Sequence, residues 1–236
     1  FKNMKKPLAV LILFCLLLTG CSKQEHMQIT ATTLPVYEFT KVLCDGTGLT
    51  VTQLVTEEVS CLHDYSLNVR QVKAAEAAQV IVLSGAGLEE FMEDILEGKN
   101  TIDASSGISL LCPEDEDHHH DHGHEGHHHE EDPHIWLSPN NAASMAYNIC
   151  LGLSQEYPEY ADTFASNLET LSEKLNDLYT YGEKALRELR CRELITFHDG
   201  FAYLAGSFDL TILEAVEEES GSEASAKELI HLIEEV

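Results

Sequence analysis

Imidazole binds borderline metal ions and exchanges protons near neutral pH, and this chain deploys it in two contrasting ways. His118, His119, His120, His122, His124, His127, His128 and His129 crowd into one acidic stretch, "EDEDHHHDHGHEGHHHEED". Three others stand apart: His63 in "CLHDYS", His134 in "DPHIWLSP" and His198 in "TFHDGFAYL". Each lies in a loop or just past a predicted strand, where parallel sheets present ligand groups. Asp64 and Asp199 directly follow two of them, and Asp132-Pro133 precedes the third. A carboxylate beside an imidazole can orient the ring, fix its tautomer and raise its basicity. Any one of these histidines alone reads as an ordinary surface side chain; three in equivalent settings shift the balance towards metal ligation, and local motif logic alone does not settle it. No HExxH or CxxC spacing is present, so the ligands must be brought together by the fold.

The crowd is different in kind. From Glu114 to Asp132 nearly every residue is acidic, His or Gly, leaving nothing to bury and little reason to fold. Asp121, Gly123, Glu125 and Gly126 interrupt the histidines, unlike a purification tag. A segment that must be ordered to grip an ion binds weakly per contact but exchanges quickly. It reads as a weak, multivalent metal collector.

The elements that must position the lone histidines alternate. "MQITATT", "LTVTQLV", "QVIVLSG" and "TIDAS" read as strands; "LPVYEFTKVLC", "NVRQVKAAEAA" and "LEEFMEDILEG" read as helices, the last closed by Gly98. A helix is expected after Pro139, and a longer one from Pro158 towards Arg190, with Phe164, Leu168, Leu171, Leu175 and Leu178 on one stripe. Strand and helix then alternate again through "ELITF", "GFAYLAG", "LTILEAV" and "SAKELIHLIEEV". The predicted class is α/β: two lobes, each a parallel sheet flanked by helices, joined by one long linker helix. The N-terminal lobe spans 27–157 with a disordered loop at 114–132, the linker spans 158–190, and 191–236 form a C-terminal lobe that reads as incomplete and C-terminally truncated.

The beginning has another character. "MKKPLAVLILFCLLLTGC" runs from a basic start through a short apolar stretch to small residues, as a secretory signal peptide does. The apolar part is too short for a permanent span. Leu18-Thr19-Gly20-Cys21 looks like a bacterial lipobox, which makes residues 1–20 a signal peptide, Cys21 the lipidation site and 21–26 a tether; Met4 reads as the start. The formal charge is −27, and it grows more negative once Lys2, Lys5 and Lys6 leave. Such a polyanion is a poor partner for nucleic acid or acidic lipid and a reasonable one for cations. Cys44, Cys61, Cys112, Cys150 and Cys191 remain, an odd number from which no bridge is predicted.

"DPHIWLSP", "TFHDGFAYL", "LSGAGLEEF" and the histidine-acidic segment ahead of "DPH" together carry a resemblance. From Cys21 to Val236 the chain resembles the zinc-binding solute-binding lipoproteins of bacterial ABC importers, also called adhesin lipoproteins. That resemblance implies metal held in a cleft between two α/β lobes. His63 and His134 from the first lobe and His198 from the second fall on its three histidine ligands. It implies Zn²⁺ as the bound ion, since manganese-specific relatives tend to carry glutamate where His198 stands. It also implies a membrane permease and its ATPase as partners, a monomeric, non-enzymatic role, and an extracytoplasmic place, lipid-anchored to the cell membrane or periplasmic. Two departures stand out. Ser66 and Leu67 occupy positions where the family usually has Glu-Pro, and the family's carboxylate ligand would lie beyond Val236. The residues alone leave open a zinc-dependent hydrolase, since three histidines plus water also describe a catalytic zinc, or a surface zinc buffer or adhesin. Protons compete for imidazole, so metal binding is expected to weaken as pH falls through about 6.5.

Overall fold

The computed structural model describes residues 28–57, 62, 65–112 and 131–217. The leader, Cys21, His63, Asp64, the eight clustered histidines and the expected final helix lie outside the described residues.

The first sheet is built by βα alternation. Strand β1 (Gln28–Ala31) leads to helix α1 (Leu34–Leu43), which has Pro35 in its first turn. Strand β2 (Thr50–Gln53) precedes α2 (Val69–Ala77). Asn68 caps α2: its side chain accepts from the Arg70 and Gln71 amides while Gln71 reaches back to the Asn68 amide. Strand β3 (Val80–Leu83) is followed by a single 3-10 turn and the short helix α3 (Glu93–Leu96), then by β4 (Thr101–Asp103). The four strands are parallel in the order β2-β1-β3-β4. The topology reverses between β1 and β3, the place where ligand-binding groups gather in open α/β sheets.

Alternation along β3 divides the core. Val80 and Val82 face the larger cluster, with Ile29, Val36, Leu43, Met145, Ile149 and Phe164, while Ile81 faces Leu54, Ala75 and Met92 on the opposite side. Both faces are covered, as an apolar parallel strand requires.

The stretch "LEEFMEDILEG" was expected as one helix and is broken instead. Glu89 supplies the reason. Its buried carboxylate turns back to accept the Ser84 amide (2.7 Å), the Gly85 amide (3.0 Å) and the Thr32 hydroxyl (2.5 Å). It thereby ties the ends of β1 and β3 together at the topological reversal, at the expense of a regular helix start. Burial raises this carboxyl to about 7.

Helix α4 (Pro139–Glu156) is capped by Ser138, and a 3-10 turn (Pro158–Tyr160) joins it to α5 (Ala161–Leu186). At 26 residues α5 is about 39 Å long. It begins and ends inside the expected 158–190. Its apolar stripe is buried only at first: Phe164 and Leu171 are covered, while Leu178 is exposed. Asn167 adds two bonds from its amide to the carbonyls of Leu43 and Asp45.

The second sheet pairs β5 (Glu193–His198) with β6 (Thr211–Glu217), again parallel, with α6 (Ala202–Ser207) between them. It meets α5 through Phe208, which stacks on Tyr179 at 5.7 Å. A Cβ on Gly182 would lie 2.4 Å from the Phe208 ring, so the glycine admits that ring. Among the described residues Cys44, Cys112, Cys150 and Cys191 are free thiols, and burial pushes Cys44 up to about 12. Among them, too, no helix is long and apolar enough to cross a membrane.

Phe164→Ala is expected to cost about 3–5 kcal/mol in urea unfolding, because it empties a fully packed site. Leu178→Ala, on the exposed continuation of the same stripe, should stay within about 0.5 kcal/mol. Glu89 makes a pH prediction. Its carboxyl binds a proton more tightly folded than unfolded, so its stabilising contribution is full below about 4.5 and declines as pH rises towards about 7. Unfolding measured across that window should show a shallower decline in Glu89→Gln, which has no proton to lose.

Candidate metal-binding site

His134 lies between an ordered carboxylate and a plugged turn. Ile135, the first residue of the 3-10 turn Ile135–Leu137, is wholly buried in the main core and fixes the backbone next to the imidazole. On the other side, Asp132 Oδ1 accepts both the His134 amide (2.9 Å) and ring Nδ1 (2.7 Å). An ionised carboxylate can only accept, so the Nδ1 proton is committed to Asp132 and the neutral ring presents a bare lone pair at Nε2.

His198 is the last residue of β5, at the C-terminal end of the second sheet. Its Nε2 lies 3.1 Å from His134 Nε2, with the ring centroids 4.9 Å apart at 77°. With metal–nitrogen bonds of about 2.0–2.1 Å, the edge of a tetrahedral zinc site measures about 3.3–3.4 Å. The two nitrogens therefore stand close to the spacing that such an ion would impose. A Cβ on Gly200 would come within 3.0 Å of His134 Nε2 and of the His198 ring, so only a glycine leaves both rings where they are.

The third histidine of the sequence reading, His63, is outside the described residues, but both sides of its segment are anchored. Leu62 is buried with Val55 and Leu88 in a small cluster that Tyr65, Phe91 and Trp136 complete. Trp136 also packs against the His134 ring at 5.3 Å. Beyond the segment, the Tyr65 hydroxyl donates to Glu57 (2.8 Å), which holds that exposed carboxyl below the usual range. The Gln71 amide joins the same pair and the Leu54 carbonyl.

Some expectations at this site need correcting. Asp132, assigned to the disordered loop, has its amide bonded to the Leu111 carbonyl at 2.8 Å. Asp199 is exposed, while the carboxylate two residues before His134 does contact its ring. Among the described residues, no group of three His, Cys, Asp or Glu side chains converges; two imidazoles do. Gly200, Trp136 and Tyr203 escaped the sequence reading. Gly200 stands two residues past a lone histidine, a position where a small residue is a usable signal. The other two depend on tertiary contacts that no spacing reveals.

Two imidazoles from two different parallel sheets, one of them backed by a carboxylate, thus meet in a protein of the two-sheet α/β type. The chain belongs to the family described as zinc-uptake complex component A, periplasmic, whose model matches residues 29–236. It is 34% identical over 245 residues to the zinc-binding lipoprotein AdcA of Streptococcus pneumoniae, a match that covers 99% of this chain and 48% of AdcA. The zinc-binding protein AdcA of Streptococcus pyogenes is 31% identical over 226 residues, covering 89% and 43%. The chain thus spans about half the length of these curated relatives. Among solved structures, one of ZnuA superposes with a TM-score of 0.75 at 28% identity, covering 89% of this chain and 78% of that one. Zn(II)-bound AdcA from Streptococcus pneumoniae superposes at 0.71 and 30%, covering 88% and 43%.

Gly200→Ala should lower divalent-metal affinity by about tenfold or more, because the added methyl pushes the rings apart. Chelator competition measures the affinity, and an unchanged far-UV dichroism spectrum would place the effect at the site.

Proposed function

We propose that this chain captures zinc outside the cytoplasm and hands it to a membrane permease driven by an ATPase. The observation that carries the reading is the 3.1 Å between His134 Nε2 and His198 Nε2, supplied by separate sheets. Its support from comparison is family membership and likeness to proteins named for zinc binding. His63 is proposed as the third ligand, because buried Leu62 beside it shares a cluster with Trp136, the residue packed on His134. In this reading residues 27–157 and 191–236 are the two lobes and 158–190 the rigid connector. Cys21 carries the lipid anchor, and the protein acts as a monomer.

The chemistry is capture and release, without turnover. A zinc ion would take the Nε2 lone pairs of His134 and His198 in competition with protons, and accept a third imidazole and water to complete four-coordination. The acidic surface favours approach of cations at low salt. His118, His119, His120, His122, His124, His127, His128 and His129 form the auxiliary collector.

Calorimetry and metal analysis test this. One tight zinc per chain is expected. His134→Ala should abolish it, Asp132→Asn should weaken it by about 10–100-fold, and removal of residues 114–131 should spare it. Tight zinc surviving in both His134→Ala and His198→Ala would defeat the reading.

A further inference from the structure

Tyr203 of α6 reaches across to the first lobe and is nearly buried there. Its hydroxyl accepts the Leu111 amide at 2.9 Å and donates to the Asp132 carbonyl at 2.8 Å. The Asp132 amide in turn donates to the Leu111 carbonyl at 2.8 Å. Three hydrogen bonds thus close a ring through residues 111, 132 and 203. The buried phenol hydroxyl has both an acceptor and a donor partner, and burial raises it above its ordinary value.

We propose that Tyr203 is a positioning residue for metal capture: its hydroxyl, brought from the second lobe, fixes the Asp132 backbone and with it the His134 imidazole. The inference rests on the reading of His134 and His198 as metal ligands. Two features take it beyond ordinary packing. Asp132 Oδ1 grips both the amide and the ring of His134, so a shift of the Asp132 backbone rotates the imidazole. And α6 begins only four residues after His198. One short stretch therefore delivers both a ligand of its own and the group that locks the opposing ligand. The spacing of the two Nε2 atoms is then set by a single local piece of chain, and not only by how the lobes happen to lie.

The same bond pair has a consequence for release. Separating the lobes requires Tyr203 to let go of Leu111 and Asp132, which frees the His134 ring at the moment its partner imidazole withdraws. Metal loss and lobe separation become one event. Tyr203 would therefore govern the dissociation rate more than the association rate.

The test uses the whole chain loaded with zinc, and separately with cobalt(II) as a spectroscopic probe. Tyr203→Phe keeps the ring and removes the hydroxyl. Zinc release into excess chelator should accelerate about tenfold or more, the cobalt visible band should change in intensity or position, and the metal-free melting temperature should move little. Release rate and cobalt spectrum both equal to those of the parent protein would overturn the proposal. So would a lowered metal-free melting temperature with an unaltered spectrum and release rate, which would leave Tyr203 as packing only. If Tyr203→Phe fails to fold, Leu111→Pro removes the amide at the other end of the ring, and faster release is again expected; unchanged release counts against the proposal. His134→Ala serves as the separate arm. Tight zinc retained there would remove the site reading itself, whereas zinc lost there but released normally from Tyr203→Phe would remove only the role of Tyr203.

Discussion

Two imidazole nitrogens from different sheets are held 3.1 Å apart, and much of the surrounding architecture keeps them so. Asp132 orients the His134 ring from its Nδ1 side, which leaves Nε2 turned towards His198. Two nitrogens fixed at nearly the edge length of a tetrahedral zinc site lose little conformational entropy in taking up a cation, the usual advantage of preorganisation. Protons compete for the same lone pairs, which links cation binding to pH.

Both lobes pack on α5. The first lobe clamps its beginning through Phe164, Leu171 and the Asn167 amide. The second clamps its later turns, with Phe208 stacked on Tyr179 over Gly182 and Arg192 donating to the Leu186 carbonyl at 3.0 Å. The helix is thus packed against both lobes, which also meet through the Tyr203 bonds and the His134–His198 contact.

Much of this was legible in the sequence because periodicity and punctuation report local structure directly. The strand "QVIVLSG" and the helix opening at Pro35 stand where their patterns place them. So does the long helix, in which Gly182 provides a seat for the Phe208 ring. Local pattern fails where a distant group intervenes. The helix expected over "LEEFMEDILEG" is interrupted because Glu89 satisfies amides and a hydroxyl at the ends of two other strands, a demand that helical spacing cannot register. The convergence of His134 and His198, 64 residues apart, was reachable only through the family resemblance, since spacing alone favours no pairing. Asp199 illustrates the limit in the other direction: it adjoins His198 in sequence yet is exposed, since successive residues along a strand point to opposite sides.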